Sequence, residues 1–165
     1  MKTHDQNAIF EKWLKDHKGI LLKIACSFTT NPEDRKDLFQ ELATCVWSSI
    51  PQFRATASPT TWIYRVCLYR AIAWSKSEKT RHSKTQSIDE VAHEIGKTTK
   101  QIDPRLNWLY EQIATLGEIN RSLVILILDG YSYQEVADIL GISESNVGVK
   151  FNRIKKKLTS ELRKD

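Results

Sequence analysis

The sequence is poor in residues that interrupt regular structure. Six glycines and 4 prolines in 165 residues are too few for the many tight turns of a β-rich fold. The three cysteines, Cys26, Cys45 and Cys67, are odd in number and widely spaced, so they build neither a disulfide framework nor a C-x-x-C metal pair. Each lies among apolar neighbours and reads as a buried structural thiol. His4, His17, His82 and His93 never fall at metal-ligand spacing with one another or with cysteine. No G-x-S-x-G, H-E-x-x-H or G-x-x-x-x-G-K-[ST] sequence occurs, so an enzyme is disfavoured and no catalytic residue, metal or cofactor is expected. No apolar run approaches the ~18–20 residues of a membrane span. Residues 1–7 lack the apolar core of a secretory signal, and a cytoplasmic protein without membrane insertion is expected.

What is present points to helices. Hydrophobic residues make up 41% of the chain and charged ones 27%, enough to bury a core while keeping a highly charged surface. The net charge of +5 is unevenly spread. Residues 65–84 hold 6 basic and 1 acidic side chains, residues 85–144 hold 4 and 10, and residues 145–165 hold 7 and 2. Two basic blocks therefore flank an acidic middle, a distribution that suits a polyanion contacted at two places.

Apolar periodicity places the helices. Ile9, Phe10, Trp13, Leu14, Ile20, Leu21, Ile24, Ala25 and Phe28 recur near a 3.6-residue period, which predicts one amphipathic helix with a bend at Gly19. Asn31 and Pro32, followed by Glu33 and Asp34, are a helix start with the acids in the positive first turn. Leu38, Leu42, Val46 and Ile50 mark its buried stripe, and Pro51 ends it. A loop carrying Phe53 and Arg54 follows. Ser58 and Pro59 restart a helix whose apolar face is expected at Trp62, Ile63, Val66, Ile72 and Ala73, ending near Ser77. A polar stretch from Ser77 to Ser87 reads as a domain boundary, followed by a weakly patterned connector with Ile88, Val91 and Ile95. Asp103 and Pro104 then open a helix with Leu106, Leu109, Ile113 and Leu116 on its apolar face. Glu118 to Asp129 forms another, with Leu123, Val124, Leu126, Ile127 and Leu128, stopped by Gly130.

The most specific stretch is 130–158. Ser132 and Glu135 have capping-box spacing, Gly141 suits a left-handed helix end, Ile142 can turn inward, and Ser143 can cap a second helix within three residues. This is a helix-turn-helix. Val147, Phe151, Ile154 and Leu158 form the inward stripe of the second helix, leaving Ser145, Asn146, Val149, Asn152, Arg153 and Lys156 on its other sides. Such a helix enters the major groove. Asn146 and Asn152 suit adenine edges, Val149 suits a thymine methyl, and Lys150 and Arg153 suit bases or backbone.

The first half narrows the class. N-P-E-D-R-K-D-L-F-Q-E-L over residues 31–42 resembles the acidic A-E-D-x-x-Q-E-x-F stretch of region 2 in the bacterial sigma-70 family. T-W-I-Y-R-V-C over residues 61–67 resembles that family's T-W-L-x-x-I-A signature. The order and the polar linker resemble the short extracytoplasmic-function type, which keeps only regions 2 and 4. The resemblance implies an all-α protein of two small helical domains, with a region 2-like domain over 1–80, a linker over 81–103, and a region 4-like domain over 104–165. The linker, extended, spans up to ~75–80 Å, enough for DNA elements roughly 70 Å apart.

The resemblance further implies an initiation subunit. Asp37, Gln40 and Glu41 would face the coiled coil of the largest subunit of core RNA polymerase, with the C-terminal domain on the polymerase flap. Phe53, Arg54, Arg65, Tyr69, Arg70, Trp74 and Lys76 would contact the −10 element of promoter DNA, using aromatic faces and cations to trap unstacked bases. Tyr69, Arg70, Trp74 and Lys76 are expected to be the more exposed of these, and Trp62 to be core. Ser145, Asn146, Val149, Lys150, Asn152 and Arg153 would read the −35 element. Members of this family are commonly held by an anti-sigma factor, a further candidate partner. Three positions depart from the pattern: Tyr69 stands where Asn is usual, Ala73 where Asp is usual, and Gly148 where a basic residue is usual. Competing readings are an autonomous helix-turn-helix regulator that binds duplex operator DNA, and a helical adaptor that binds only protein. The acidic helix followed by an aromatic-basic one favours the sigma factor over the regulator, which has no need of that pair.

Overall fold

The computed structural model describes residues 3–85 and 103–164, and all regular structure among them is helical. The order is α1 (Thr3–Phe28), α2 (Pro32–Ser49), a 3-10 turn (Ile50–Gln52), α3 (Pro59–Thr85), α4 (Pro104–Ala114), α5 (Glu118–Leu128), α6 (Tyr133–Leu140) and α7 (Glu144–Leu162). The connector residues Ile88, Val91 and Ile95 lie outside the described residues.

The starts and stops follow local chemistry. The Asn31 side chain accepts from the Asp34 amide at 2.8 Å, and Pro32 occupies the first turn of α2. Ser58 Oγ accepts from the Thr61 amide at 3.1 Å at the start of α3, and Asp103 accepts from the Arg105 amide at 2.9 Å at the start of α4. Each such cap satisfies a donor that the first helical turn leaves unpaired, worth roughly 1 kcal/mol. Gly130, with φ of 89°, follows α5.

Helices α1, α2 and α3 pack mutually as a three-helix unit. Its core is the expected α2 stripe of Leu38, Leu42, Val46 and Ile50 against Leu21, Ile24, Ala25 and Phe28 of α1. Burying each of these larger side chains contributes roughly 1.5–3 kcal/mol. Helix α1 runs without interruption through Gly19. On α3 the buried face is Ile63, Tyr64, Cys67, Leu68, Ala71 and Ile72, while Ala73 is exposed. The helix also continues eight residues past Ser77, to Thr85. A polar composition such as that after Ser77 does not by itself mark the end of a helix.

The second unit comprises α4 to α7. Ile113, Leu116, Leu123, Val124, Leu126, Val136, Ala137, Ile139, Val147 and Ile154 are its interior. Two residues assigned to apolar faces are on the surface instead, Leu106 at 44% and Leu128 at 57% exposure. Both stand near helix ends, where the stripe runs beyond its partners. Arg121 is buried, and its guanidinium donates to the carbonyls of Ala114 and Leu116 at 3.0 and 2.8 Å, closing the C-terminal end of α4.

The two units do not keep separate cores. Helix α1 packs on α4 and α5, α3 packs on α5 and α6, and the buried apolar side chains of both units form one connected cluster. The Arg121 guanidinium stacks over the Phe28 ring at 4.8 Å, and Tyr64 meets Tyr131 edge-on at 5.4 Å. Both contacts join the first unit to the second.

Candidate nucleic-acid and partner interfaces

The helix-turn-helix is built as its residues dictate. Ser132 accepts from the Glu135 amide at 3.1 Å while Glu135 accepts from the Ser132 amide at 2.7 Å, a complete capping box. Gly141 ends α6 with φ of 70°, in the left-handed region that a Cβ disfavours. Ser143 then caps α7 by accepting from the Asn146 amide at 3.1 Å. Val147 and Ile154 face inward, with Phe151 and Leu158 half-buried beside them. Tyr133 packs edge-on to Phe151 at 6.1 Å and so braces α6 against α7.

This packing leaves one face of α7 outward. Ser145, Asn146, Val149, Asn152 and Arg153 are exposed, and Lys150 is half-buried. Further along, Lys155, Lys156 and Arg163 border a shallow cleft with Asn152, Thr159 and Ser160. Polar hydrogen-bonding groups at the N-terminal end and cations at the C-terminal end are the arrangement needed to meet bases and then phosphates.

On α2, Asp37 and Gln40 are exposed and Glu41 is half-exposed. Together with Asp34 and Thr44 they line one wall of a groove whose other wall is Arg70, Trp74 and Glu78 of α3. Within it Arg70 donates to Glu41 at 2.6 Å. The groove thus joins residues that the sequence assigns to two different contacts.

The aromatic and basic residues of α3 divide accordingly. At 3.6 residues per turn, Arg65, Tyr69 and Lys76 fall within a narrow arc, whereas Arg70 and Trp74 lie roughly 100° or more around the helix. Trp74 is half-buried between the α2 groove and a second crevice that contains Thr29, Ser75, Lys79 and Arg121. Tyr69 is exposed at 50%. In the loop before α3, Arg54 is exposed, but Phe53 is half-buried between Trp13 at 5.1 Å and Trp62 at 5.7 Å, both edge-on. Trp62 packs against the core as expected and donates to Ser49 Oγ at 3.0 Å. The next residue of the loop, Ala55, has φ of 56°.

Sequence reasoning misses a set of polar contacts between the units. Asp129, at the end of α5, accepts from both Tyr64 of α3 and Lys23 of α1. Glu118, at the start of α5, accepts from Lys79 at 2.7 Å and Ser75 at 3.4 Å. The Lys79 ammonium holds the Glu118 carboxyl below its ordinary range. Arg65 and Tyr69 reach the backbone of α6, donating to the carbonyls of Asp138 at 3.4 Å and Ile139 at 3.2 Å. The partners are 39 to 106 residues apart in the chain, and no local pattern announces them.

Burial disfavours the thiolate at all three cysteines. Cys67 is fully buried, and burial pushes its thiol well up from the ordinary value. Cys26 and Cys45 are half-buried rather than buried as expected, and burial raises both as well. Among the described residues no His, Cys, Asp and Glu cluster could hold a metal ion, and no helix is long and apolar enough to cross a membrane.

Comparison with known proteins covers both units. The family model for Sigma-70 region 2 matches residues 13–81, and that for Sigma-70, region 4 matches residues 106–158. RNA polymerase sigma factor SigV of Bacillus subtilis (strain 168) is 23% identical over 99% of this chain and 97% of that protein. RNA polymerase sigma factor YlaC of the same organism is 26% identical over 82% of each. In fold, the chain is similar to the sigma factor RpoE of Bartonella quintana, solved with the anti-sigma factor NepR. That match has a TM-score of 0.72 and 20% identity and covers 94% of this chain and 98% of that one. It is also similar to CnrH, solved with the cytosolic domain of CnrY, with a TM-score of 0.66 and 18% identity over 96% and 90%.

Proposed function

Since the chain belongs to the sigma-70 family and has the two-region build of its extracytoplasmic-function type, it directs core RNA polymerase to promoter DNA, and we propose how its surfaces divide that work. The family is not a class of catalytic enzymes. An autonomous operator-binding regulator would have no use for a counterpart of region 2, which residues 13–81 match.

The outward face of α7 reads the −35 element as duplex. Asn146 and Asn152 supply paired donor and acceptor groups for base edges, Val149 an apolar contact, and Ser145, Lys150 and Arg153 further polar and phosphate contacts. Support comes from the capping box, the left-handed Gly141 and the Ser143 cap, which together fix the angle at which α7 is presented.

Asp37, Gln40 and Glu41 dock on the coiled coil of the polymerase largest subunit, and the C-terminal domain on the flap. The α2 groove, with three carboxylates on one wall, favours a basic partner. The −10 element is met as single strand by Arg65, Tyr69 and Lys76 of α3, with Arg54 from the preceding loop. Arg70 and Trp74 join from the groove side. Phe53 contributes by holding the loop through its packing on Trp13 and Trp62.

The observation that carries the reading is the co-occurrence of an acidic docking helix, an aromatic-basic helix and a complete helix-turn-helix in one chain. In vitro transcription with core polymerase on a genomic promoter library, with and without this protein, tests it. New start sites and comigration with core are expected. Absence of both would sink it.

A further inference from the structure

Asp34, Asp37 and Glu41 follow one another at spacings of three and four residues and share one face of α2, where like charges repel. Among the described residues that line their groove, Arg70 is the one cation. Its guanidinium donates to Glu41 Oε2 at 2.6 Å, and both charges act, with opposite sign, on the Cys45 thiol of the same groove. On α3, Arg70 stands roughly 100° or more around the helix from Arg65, Tyr69 and Lys76. Its side chain is therefore committed to the acidic wall rather than to the arc that those three residues form.

This pair does little to hold the fold. The two side chains are 42% and 40% exposed, and an ion pair in that setting adds little to stability because water screens it. What it fixes is the Glu41 rotamer. An exposed glutamate that must be immobilised on binding lowers affinity by roughly two- to tenfold. A carboxylate already held through Oε2 has lost much of that freedom beforehand, and it keeps Oε1 for a second donor. The opposing effect is smaller. A partner cation on the far side of the carboxylate, roughly 6–7 Å from the guanidinium, is repelled by less than about twofold in affinity at physiological salt.

We propose that Arg70 is a positioning residue of the polymerase-docking surface, holding the Glu41 carboxylate in the orientation that receives a basic side chain of the polymerase coiled coil. The inference rests on the assignment of Glu41 to core polymerase and gives Arg70 a role that needs no DNA. The planar guanidinium matters as well as the charge. Its donors are fixed relative to one another, so less rotamer freedom is lost per hydrogen bond than with a lysine ammonium on its flexible stem.

The test measures binding of the full chain, labelled at its N-terminus, to core RNA polymerase in the absence of DNA. The variants are Arg70→Met, Arg70→Lys, Glu41→Ala and the double variant of Arg70→Met with Glu41→Ala. Arg70→Met is expected to weaken docking roughly threefold or more, and Arg70→Lys to recover part of the loss. Glu41→Ala is expected to weaken docking too, and in its background Arg70→Met should have no further effect, since the two residues act through one contact. The proposal is overturned if Arg70→Met leaves core affinity unchanged or raises it, or if it weakens docking equally with and without Glu41. If Glu41→Ala itself leaves core affinity unchanged, the docking assignment of Glu41 fails and the proposal with it. Weaker docking by Glu41→Ala without any loss from Arg70→Met keeps that assignment and sinks only the role of Arg70.

Discussion

Tyr69 donates its hydroxyl to the carbonyl of Ile139 over 3.2 Å while half of its surface remains exposed. One side chain thus carries two separable features, a hydroxyl engaged with the second unit and a ring available to a base. Tyr69→Phe retains the ring and removes the hydroxyl, and Tyr69→Ala removes both. Holoenzyme carrying Tyr69→Phe is expected to open promoters normally, and Tyr69→Ala to be impaired. Permanganate reactivity of −10 thymines reads the difference, and equal reactivity in all three proteins would remove the stacking role.

Base reading by α7 is expected to depend on Asn152 and Arg153, which project from its exposed face. Asn152→Ala should lower affinity for the −35 duplex by about 1–3 kcal/mol and relax base preference at one position. Arg153→Ala should weaken binding too, and the salt dependence of its affinity distinguishes a phosphate contact, which flattens the slope, from a base contact. Competition binding against single-base variants of the duplex checks both.

Two glycines of the helix-turn-helix should respond with opposite sign to the same substitution. Gly141 has φ of 70°, so Gly141→Ala is expected to destabilise the protein by about 1 kcal/mol or more. Gly148 lies within α7, where an added Cβ would meet Tyr133 at an ordinary 3.6 Å. Gly148→Ala should therefore stabilise by about 0.5–1 kcal/mol through helix propensity. Urea unfolding midpoints with unchanged slope would report both.

Acid should loosen the contact between the units at Glu118. Its carboxyl is held below the ordinary range by the hydrogen bond from Lys79, so the contribution is complete above the unfolded value and lost as pH falls through the folded one. The stability difference between wild type and Glu118→Gln is accordingly expected to be constant above about pH 5 and to shrink below it. A difference that does not change between neutral pH and pH about 3 would show that the carboxylate charge contributes nothing there.

In the sequence, the helix starts governed by short-range chemistry were legible. Asn31, Ser58, Asp103, Ser132 and Ser143 each cap the helix that follows, because a side-chain oxygen two or three residues before an unpaired amide needs no distant partner. The α2 stripe and the turn at Gly141 follow from period and backbone sterics in the same way. The face of α3 was less legible. An aromatic such as Tyr64 has the same composition signal whether it stacks on a base or fills a core, and only the tertiary structure, which sets it against Asp129 and Tyr131, decides that it is buried.

The tertiary structure alone decided how the candidate sites relate. Arg70 is drawn to Glu41 across the α2 groove, and Arg65 and Tyr69 are drawn to α6, so residues read as one basic-aromatic set face in two directions. Asp129, which in sequence is only the residue before a helix-stopping glycine, becomes the acceptor for two helices more than sixty positions away. Local sequence determines where a helix starts and which groups share one of its faces. Which of them find each other depends on packing one connected apolar core from both units, a long-range outcome that no window of the sequence contains.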